Sequence, residues 1–383
     1  MYEVTVQNDG QILNLINRKE NLIRRFHAIW LRDNSLDSDT RSTQNGQKLI
    51  TLEEIPKDLK IISAKVVGDK AEIYFGPEKK SIDFEINWLL EQSYDKKGKN
   101  FSKGWIDEKI ILWDHKIESN FPTSSFKKII SDDKELWKWL EGVVRYGFGK
   151  LIDGPLEEGA LFKLVDRFGF IRETNYGRHF EVKNKVNPSN LAFTGEGLQA
   201  HTDNPYRDPV PTLQILYCLE NSASGGDNMV VDGFNAIEKL QKENSEWFNT
   251  LSSYCAKFEF SGEKNVQLSS RRPMIELNPD GELISIRFNN RSTSTITDVP
   301  FEKMKIYYDA YRRLGEIIND EAMEVKFRLD PGECFIVDNT RVLHARKSYS
   351  SSGNRWLQGC YSDKDGLISK YKVLSKRFNE LFL

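Results

Sequence analysis

The residues whose types and spacing best suit chemistry are His201, Asp203 and His344. On a β-strand, side chains two apart point to the same face. His201 and Asp203 of His201-Thr202-Asp203 can therefore reach one metal ion together. The third ligand must come from elsewhere, and His344 follows a strand-like stretch at 334–337 and the segment Asp338-Asn339-Thr340-Arg341-Val342-Leu343. Two imidazoles and one carboxylate on one face leave three coordination positions open, the ligand set of non-haem Fe(II) centres. A bare His-x-Asp recurs by chance, but a distal histidine beside a second strand adds weight. Arg355 adds a guanidinium that can grip a carboxylate with two parallel hydrogen bonds. On spacing alone, a turn histidine at 201 and a structural ion pair at Arg355 account for the same residues equally.

The elements around these residues read as short strands with helices inserted. From 191 onward, strand-like stretches recur at 212–219, 228–231, 283–288, 325–329 and 334–337. Gln214 is the only strongly polar member of the 212–219 run. Helical spacing interrupts them at 235–242 and 301–319. Many short strands with inserted helices suggest an antiparallel double sheet or barrel. Upstream, Asp132 and Glu135 have the spacing of a capping box, followed by Leu136, Leu140, Val143 and Val144 on one helical face and Gly147 at the end. A second helix is expected over 157–168. The first 120 residues look β-rich, with Tyr2-Glu3-Val4-Thr5-Val6 alternating, and the turn-rich stretch at 120–125 sets a domain boundary. The expected division is a small β-rich domain at 1–120 and a larger one at 121–383.

Composition bounds the partners. The 383 residues carry 55 Lys+Arg and 57 Asp+Glu, a net charge of −2. That balance offers no electrostatic footprint for nucleic acid or an anionic membrane surface. No apolar run approaches the roughly 20 residues of a membrane-spanning helix. The first 20 residues contain Asn8, Asp9 and Asn14 and do not read as a signal peptide, so a reduced, cytoplasmic setting is expected. The cysteines, Cys218, Cys255, Cys334 and Cys360, include no closely spaced pair, which argues against a cysteine-rich zinc site.

Longer stretches carry a resemblance. The segment from His201 to Asp208, Leu213-Gln214-Ile215-Leu216-Tyr217-Cys218, Gly225-Gly226-Asp227-Asn228-Met229-Val230-Val231-Asp232-Gly233-Phe234, Arg287-Phe288-Asn289-Asn290, Asp338 to His344 and Gly359-Cys360-Tyr361 resemble the γ-butyrobetaine hydroxylases. These belong to the taurine-dioxygenase-like superfamily of Fe(II)/2-oxoglutarate oxygenases. Ala28-Ile29-Trp30-Leu31-Arg32-Asp33-Asn34 resembles their accessory domain. The resemblance implies a double-stranded β-helix (jelly-roll) catalytic domain after a small β-rich domain, commonly in a homodimer. It implies iron on His201, Asp203 and His344, and the distal carboxylate of 2-oxoglutarate on Arg355 with Asn228 nearby. Asn339 has an amide to offer, although a turn cap explains it as well. The implied reaction consumes 2-oxoglutarate and O2, releases succinate and CO2, and hydroxylates a C–H bond, with ascorbate stimulatory.

Relatives acting on trimethylammonium substrates hold the cation in an aromatic cage. The matching positions are Tyr176, Phe180, Phe193, Asn204 and Tyr361. Asn204 stands where γ-butyrobetaine hydroxylase has a Tyr, and Tyr206 is a partial substitute nearby. Core packing is an alternative explanation for Phe180 and Phe193. Asn290 and Arg291 match a region that contacts the substrate's tail, and a guanidinium suits a carboxylate or a phosphonate. Arg32 and Arg207 are weaker candidates. Animal relatives hold zinc in the accessory domain with cysteines and a histidine. Here Ser35-Leu36-Asp37-Ser38-Asp39-Thr40 has no such ligands, so no structural zinc is expected and the domain should fold by packing alone. The expected substrate is a small quaternary-ammonium zwitterion of γ-butyrobetaine or (2-trimethylammonio)ethylphosphonate type, with trimethyllysine hydroxylation as the alternative. From other classes, a metal-dependent hydrolase would need a general base beside the metal, and a non-catalytic jelly-roll binding protein should have lost one of the four key residues.

Overall fold

The computed structural model describes residues 1–95, 102–183, 197–348 and 353–379. The chain divides into two compact units, Met1–Asn100 and Phe101–Leu383. The turn-rich stretch at 120–125 expected to mark the division therefore lies inside the second unit. Residues 106–113 pack within the second unit, where the Trp113 ring lies 4.8 Å from that of Phe148 and its backbone N–H donates to Asp232 at 3.1 Å.

The first unit holds two three-stranded antiparallel sheets, Tyr2–Gln7, Ile12–Asn17 and Leu22–His27, then Lys60–Val67, Lys70–Gly76 and Lys80–Glu85. Leu13, Leu15, Phe26, Ile73 and Phe75 form their shared core. Packing is not the whole account of the segment 35–40. Arg32 pairs with Glu78 at 2.7 Å and donates to Thr40 at 2.8 Å, and Lys80 pairs with Asp37 at 2.6 Å. Burial would raise the Asp37 carboxyl, yet Lys80, Thr40 and Ser35 bring it down to about 2.

In the second unit, a six-stranded sheet runs Thr123–Ser125, Phe148–Ile152, Cys334–Asp338, Leu213–Asn221, Arg355–Ser362 and Phe180–Val182. A four-stranded sheet runs Leu198–His201, Val342–Arg346, Asn228–Asp232 and Val325–Phe327. From residue 198 on, the chain passes repeatedly from one sheet to the other, which is the winding of a double-stranded β-helix. Residues 233–324 interrupt it with the helices Gly233–Glu243, Ser245–Ser253 and Phe301–Ile318 and two hairpins.

The strands are apolar on both faces because both are covered. In Leu213–Asn221, Leu213, Ile215 and Tyr217 point to helices that include Asp133–Tyr146 and Ala160–Val165, while Leu216 and Cys218 point between the sheets. In Asn228–Asp232, Val230 points between the sheets and Met229 and Val231 pack outward on the inserted helices. Asp132 caps its helix through Lys134 N–H, and Gly147 ends that helix at φ 78°. The helix expected at 157–168 is shorter, Ala160–Val165. The hairpin of Cys255–Glu263 and Val266–Pro273 and the terminal helix Lys364–Asn379 carried no sequence expectation. Among the described residues no helix is long and apolar enough to cross a membrane, and all four cysteines are free thiols.

Candidate active site

Register brings the two histidines together. His201, the last residue of Leu198–His201, lies directly opposite His344 in Val342–Arg346, and their rings sit 4.4 Å apart. Asp203 lies beyond the strand rather than on it. Its position is fixed by the chain's exit. Thr202 N–H donates to Phe288 O at 2.8 Å, and Asn289 donates to Thr202 O at 3.1 Å. Asn339 accepts from Asp203 N–H at 2.6 Å and donates to Asp203 O and Pro211 O, each at 2.9 Å. Asn204 then takes φ 51°, a left-handed conformation in which Asn is the best-tolerated type after Gly.

The donor set is polarised toward one point. His201 Nδ1 lies 2.7 Å from Gln199 O, which assigns the proton to Nδ1 and leaves the Nε2 lone pair facing inward. His201 Nε2 is 3.3 Å and His344 Nε2 3.6 Å from Asp203 Oδ1. Ligands about 2.0–2.2 Å from one ion at right angles lie about 3 Å apart, so a modest contraction seats a metal. Asp203 Oδ2 is already engaged, accepting from Gln214 Nε2 at 2.6 Å and from Tyr361 OH at 2.7 Å. That leaves Oδ1 to the ion, the outer support typical of metal carboxylates. Burial, reinforced by His344, pushes the His201 imidazole down to about 4, so it is a neutral ligand near pH 7. Burial alone would raise the Asp203 carboxyl, but His344 and His201 hold it well below the usual range. Burial and the Asp203 charge push the Tyr361 phenol up, so it remains a donor. The chemistry of these residues fits a divalent iron.

The triad opens into a pocket. Of the residues read from sequence, Asn228, Arg355, Tyr176, Phe180, Asn204, Arg291 and Tyr361 line it with the triad. Arg355 begins the strand Arg355–Ser362 and reaches Asn228 Oδ1 at 3.4 Å. Phe180 lies 5.2 Å from Tyr361, and a side chain at Gly359, its partner in register, would collide with its ring. Tyr206 also lines the pocket and shares a 3.0 Å hydroxyl contact with Tyr176. Asn290 does not line it. Asn290 is exposed, and its Oδ1 accepts from Tyr311 OH at 2.6 Å. Phe193 lies outside the described residues.

Two polar lining residues are not among the sequence candidates, Gln214 and Arg346. Gln214 was visible as a lone polar residue in an apolar strand, and a strand buried on both faces tolerates one only where it has a partner. Arg346 is buried on the same strand face as His344, two residues on, a signal present in the alternation.

Residues 114–361 match the family described as taurine catabolism dioxygenase TauD, TfdA family. The chain is 30% identical to the gamma-butyrobetaine dioxygenase of Homo sapiens, over 92% of each chain. It is 31% identical to that of Pseudomonas sp. (strain AK-1), over 92% of this chain and 91% of the relative. It is 29% identical to the trimethyllysine dioxygenase of Meyerozyma guilliermondii, over 92% and 90%.

Proposed function

Because this chain belongs to the TauD/TfdA family and is a 2-oxoglutarate-dependent non-haem iron dioxygenase, we propose that it hydroxylates a small zwitterion with a trimethylammonium group at one end and an acid at the other. The observation that carries this reading is the make-up of the pocket wall. Tyr176, Phe180, Tyr206 and Tyr361 supply aromatic faces, while Arg291, Arg346 and Arg355 supply three guanidinium groups. Asp203 is the sole carboxylate among the described lining residues. Such a cavity favours two acidic ligands and accepts a cation only against the rings.

His201, Asp203 Oδ1 and His344 are the residues that would hold the iron. When bound, Fe(II) supplies the oxygen-activating chemistry that converts 2-oxoglutarate to succinate and CO2 and hydroxylates the substrate. Gln214 and Tyr361 hold Asp203 so that one oxygen faces the ion. Arg355 and Asn228, at the start of their strands, suit the distal carboxylate of 2-oxoglutarate. The guanidinium of Arg291 makes no hydrogen bond or ion pair among the described residues and suits the substrate's acidic end. No side-chain base is needed, and a hydrolase would require one beside the metal.

The similarity to gamma-butyrobetaine and trimethyllysine dioxygenases supports the trimethylammonium group. The acid is a carboxylate, as in γ-butyrobetaine, or a phosphonate, for which Arg291 and the non-aromatic Asn204 speak; a trimethyllysine-type substrate is the second reading. The reading further takes the protein as a cytoplasmic homodimer, stimulated by ascorbate and without structural zinc. The test is a panel of trimethylammonium carboxylates and phosphonates with Fe(II), ascorbate and 2-oxoglutarate. Succinate should form strongly only with a suitable compound, which should gain the mass of one oxygen atom. Absence of coupling across the panel would refute the substrate class.

A further inference from the structure

The hairpin of Cys255–Glu263 and Val266–Pro273 belongs to neither barrel sheet, yet it touches the segment that carries Tyr206 and the segment that follows Arg291. Toward the aromatic end, Ser270 Oγ donates to Pro205 O at 2.6 Å and Arg272 grips Asp208 at 2.6 and 3.0 Å. Arg287 joins this clasp by donating to Pro205 O and Arg207 O, each at 3.0 Å. The Phe260 ring stacks on Tyr206 at 5.1 Å and 26° and meets Tyr176 edge-on at 6.1 Å and 68°. Toward the acidic end, the same strand binds the segment just after Arg291. Glu259 N–H donates to Ser292 O and Ser294 N–H to Lys257 O, each at 2.8 Å, and Ser294 Oγ donates to Glu259 at 2.6 Å.

We infer that this hairpin is a ruler: it fixes the span between the Tyr176–Tyr206 pair and Arg291, and so determines which length of zwitterion binds. This rests on the trimethylammonium reading above. Phe260 is a positioning residue that acts through Tyr206, since it does not itself line the pocket.

The test uses the full chain with Fe(II) and 2-oxoglutarate, without O2. Dissociation constants are measured by calorimetry for trimethylammonium carboxylates differing only in methylene count. One methylene is worth about 10- to 200-fold where a pocket reads length, so the wild type should separate the best compound from its neighbours by at least about tenfold. Phe260→Leu, which keeps apolar bulk but removes the ring stack, should cut that separation by roughly 2- to 12-fold, the worth of one aromatic pair. Phe260→Tyr should restore it, and the dissociation constant of 2-oxoglutarate should be unchanged in both. Unaltered length discrimination in Phe260→Leu would overturn the inference, as would parallel weakening of 2-oxoglutarate. Should Phe260→Leu not fold, Ser270→Ala, which cuts the tie to Pro205, is read by the same criterion. A wild type that binds no member of the series defeats the trimethylammonium reading, and the inference with it.

Discussion

Asn339 is the residue through which the barrel holds the backbone of Asp203, and replacing it separates fold from site. It is 1% exposed, and its side chain makes three hydrogen bonds to backbone, two with Asp203 and one with Pro211. Buried hydrogen bonds contribute about 0.5–1.5 kcal/mol each, and a buried backbone group stranded without a partner costs about 1–3 kcal/mol. Three stranded groups, partly relieved by water entering the space of the lost amide, put Asn339→Ala at about 3–5 kcal/mol less stable. Part of that cost falls on the metal. With both backbone ties to Asp203 gone, Gln214 and Tyr361 alone aim the carboxylate, and iron affinity should drop about 10- to 100-fold, the usual penalty for losing an outer support. The adjacent Thr340 is the control, because its hydroxyl contacts Asp338 and Lys364 but not Asp203. Thr340→Ala should cost about 1 kcal/mol and leave iron affinity alone. Urea denaturation gives the stability difference, and anaerobic titration with Fe(II) gives the affinity. A destabilised Asn339→Ala with wild-type iron affinity would return this residue to a plain turn cap. A stability change under about 1 kcal/mol would show that the three bonds are replaced by water at no cost.

Asp203→Ala and His344→Ala should each abolish substrate-coupled succinate formation while far-UV circular dichroism stays native, and full turnover in either variant removes that residue from the metal site. Gly359→Ala should push Phe180 off its strand partner and weaken substrate binding at least severalfold without changing the affinity for 2-oxoglutarate, a split read by paired calorimetric titrations. Asp232→Ala should destabilise the chain by about 3–5 kcal/mol in urea, because it strands the guanidinium of Arg341, 2% exposed and 2.8 Å away; a loss below about 1 kcal/mol would mean that the carbonyls of Arg145 and Ile111 suffice for that charge.

Features whose logic is local were legible in the amino-acid order alone. Short apolar runs located barrel strands, because a strand covered on both faces must be apolar throughout, and Gln214 showed as the exception. The Asp132 cap and Gly147 stop were legible because capping joins groups a few residues apart. The triad was nameable because His201 and Asp203 are neighbours and His344 follows a second strand-like stretch, a choice the superfamily resemblance reinforced. Tertiary structure decided what depends on distant segments meeting. It put Asp203 past the end of its strand and gave its aim to Asn339, Gln214 and Tyr361, contacts set by strand register that leave no local pattern. It kept Asn290 out of the pocket by bonding it to Tyr311 on a helix. It replaced a presumed packed segment at 35–40 by a network of charges with Arg32, Glu78 and Lys80. It also set Phe260 behind Tyr206, a contact between a hairpin strand and a loop more than fifty residues apart that neither segment's sequence announces.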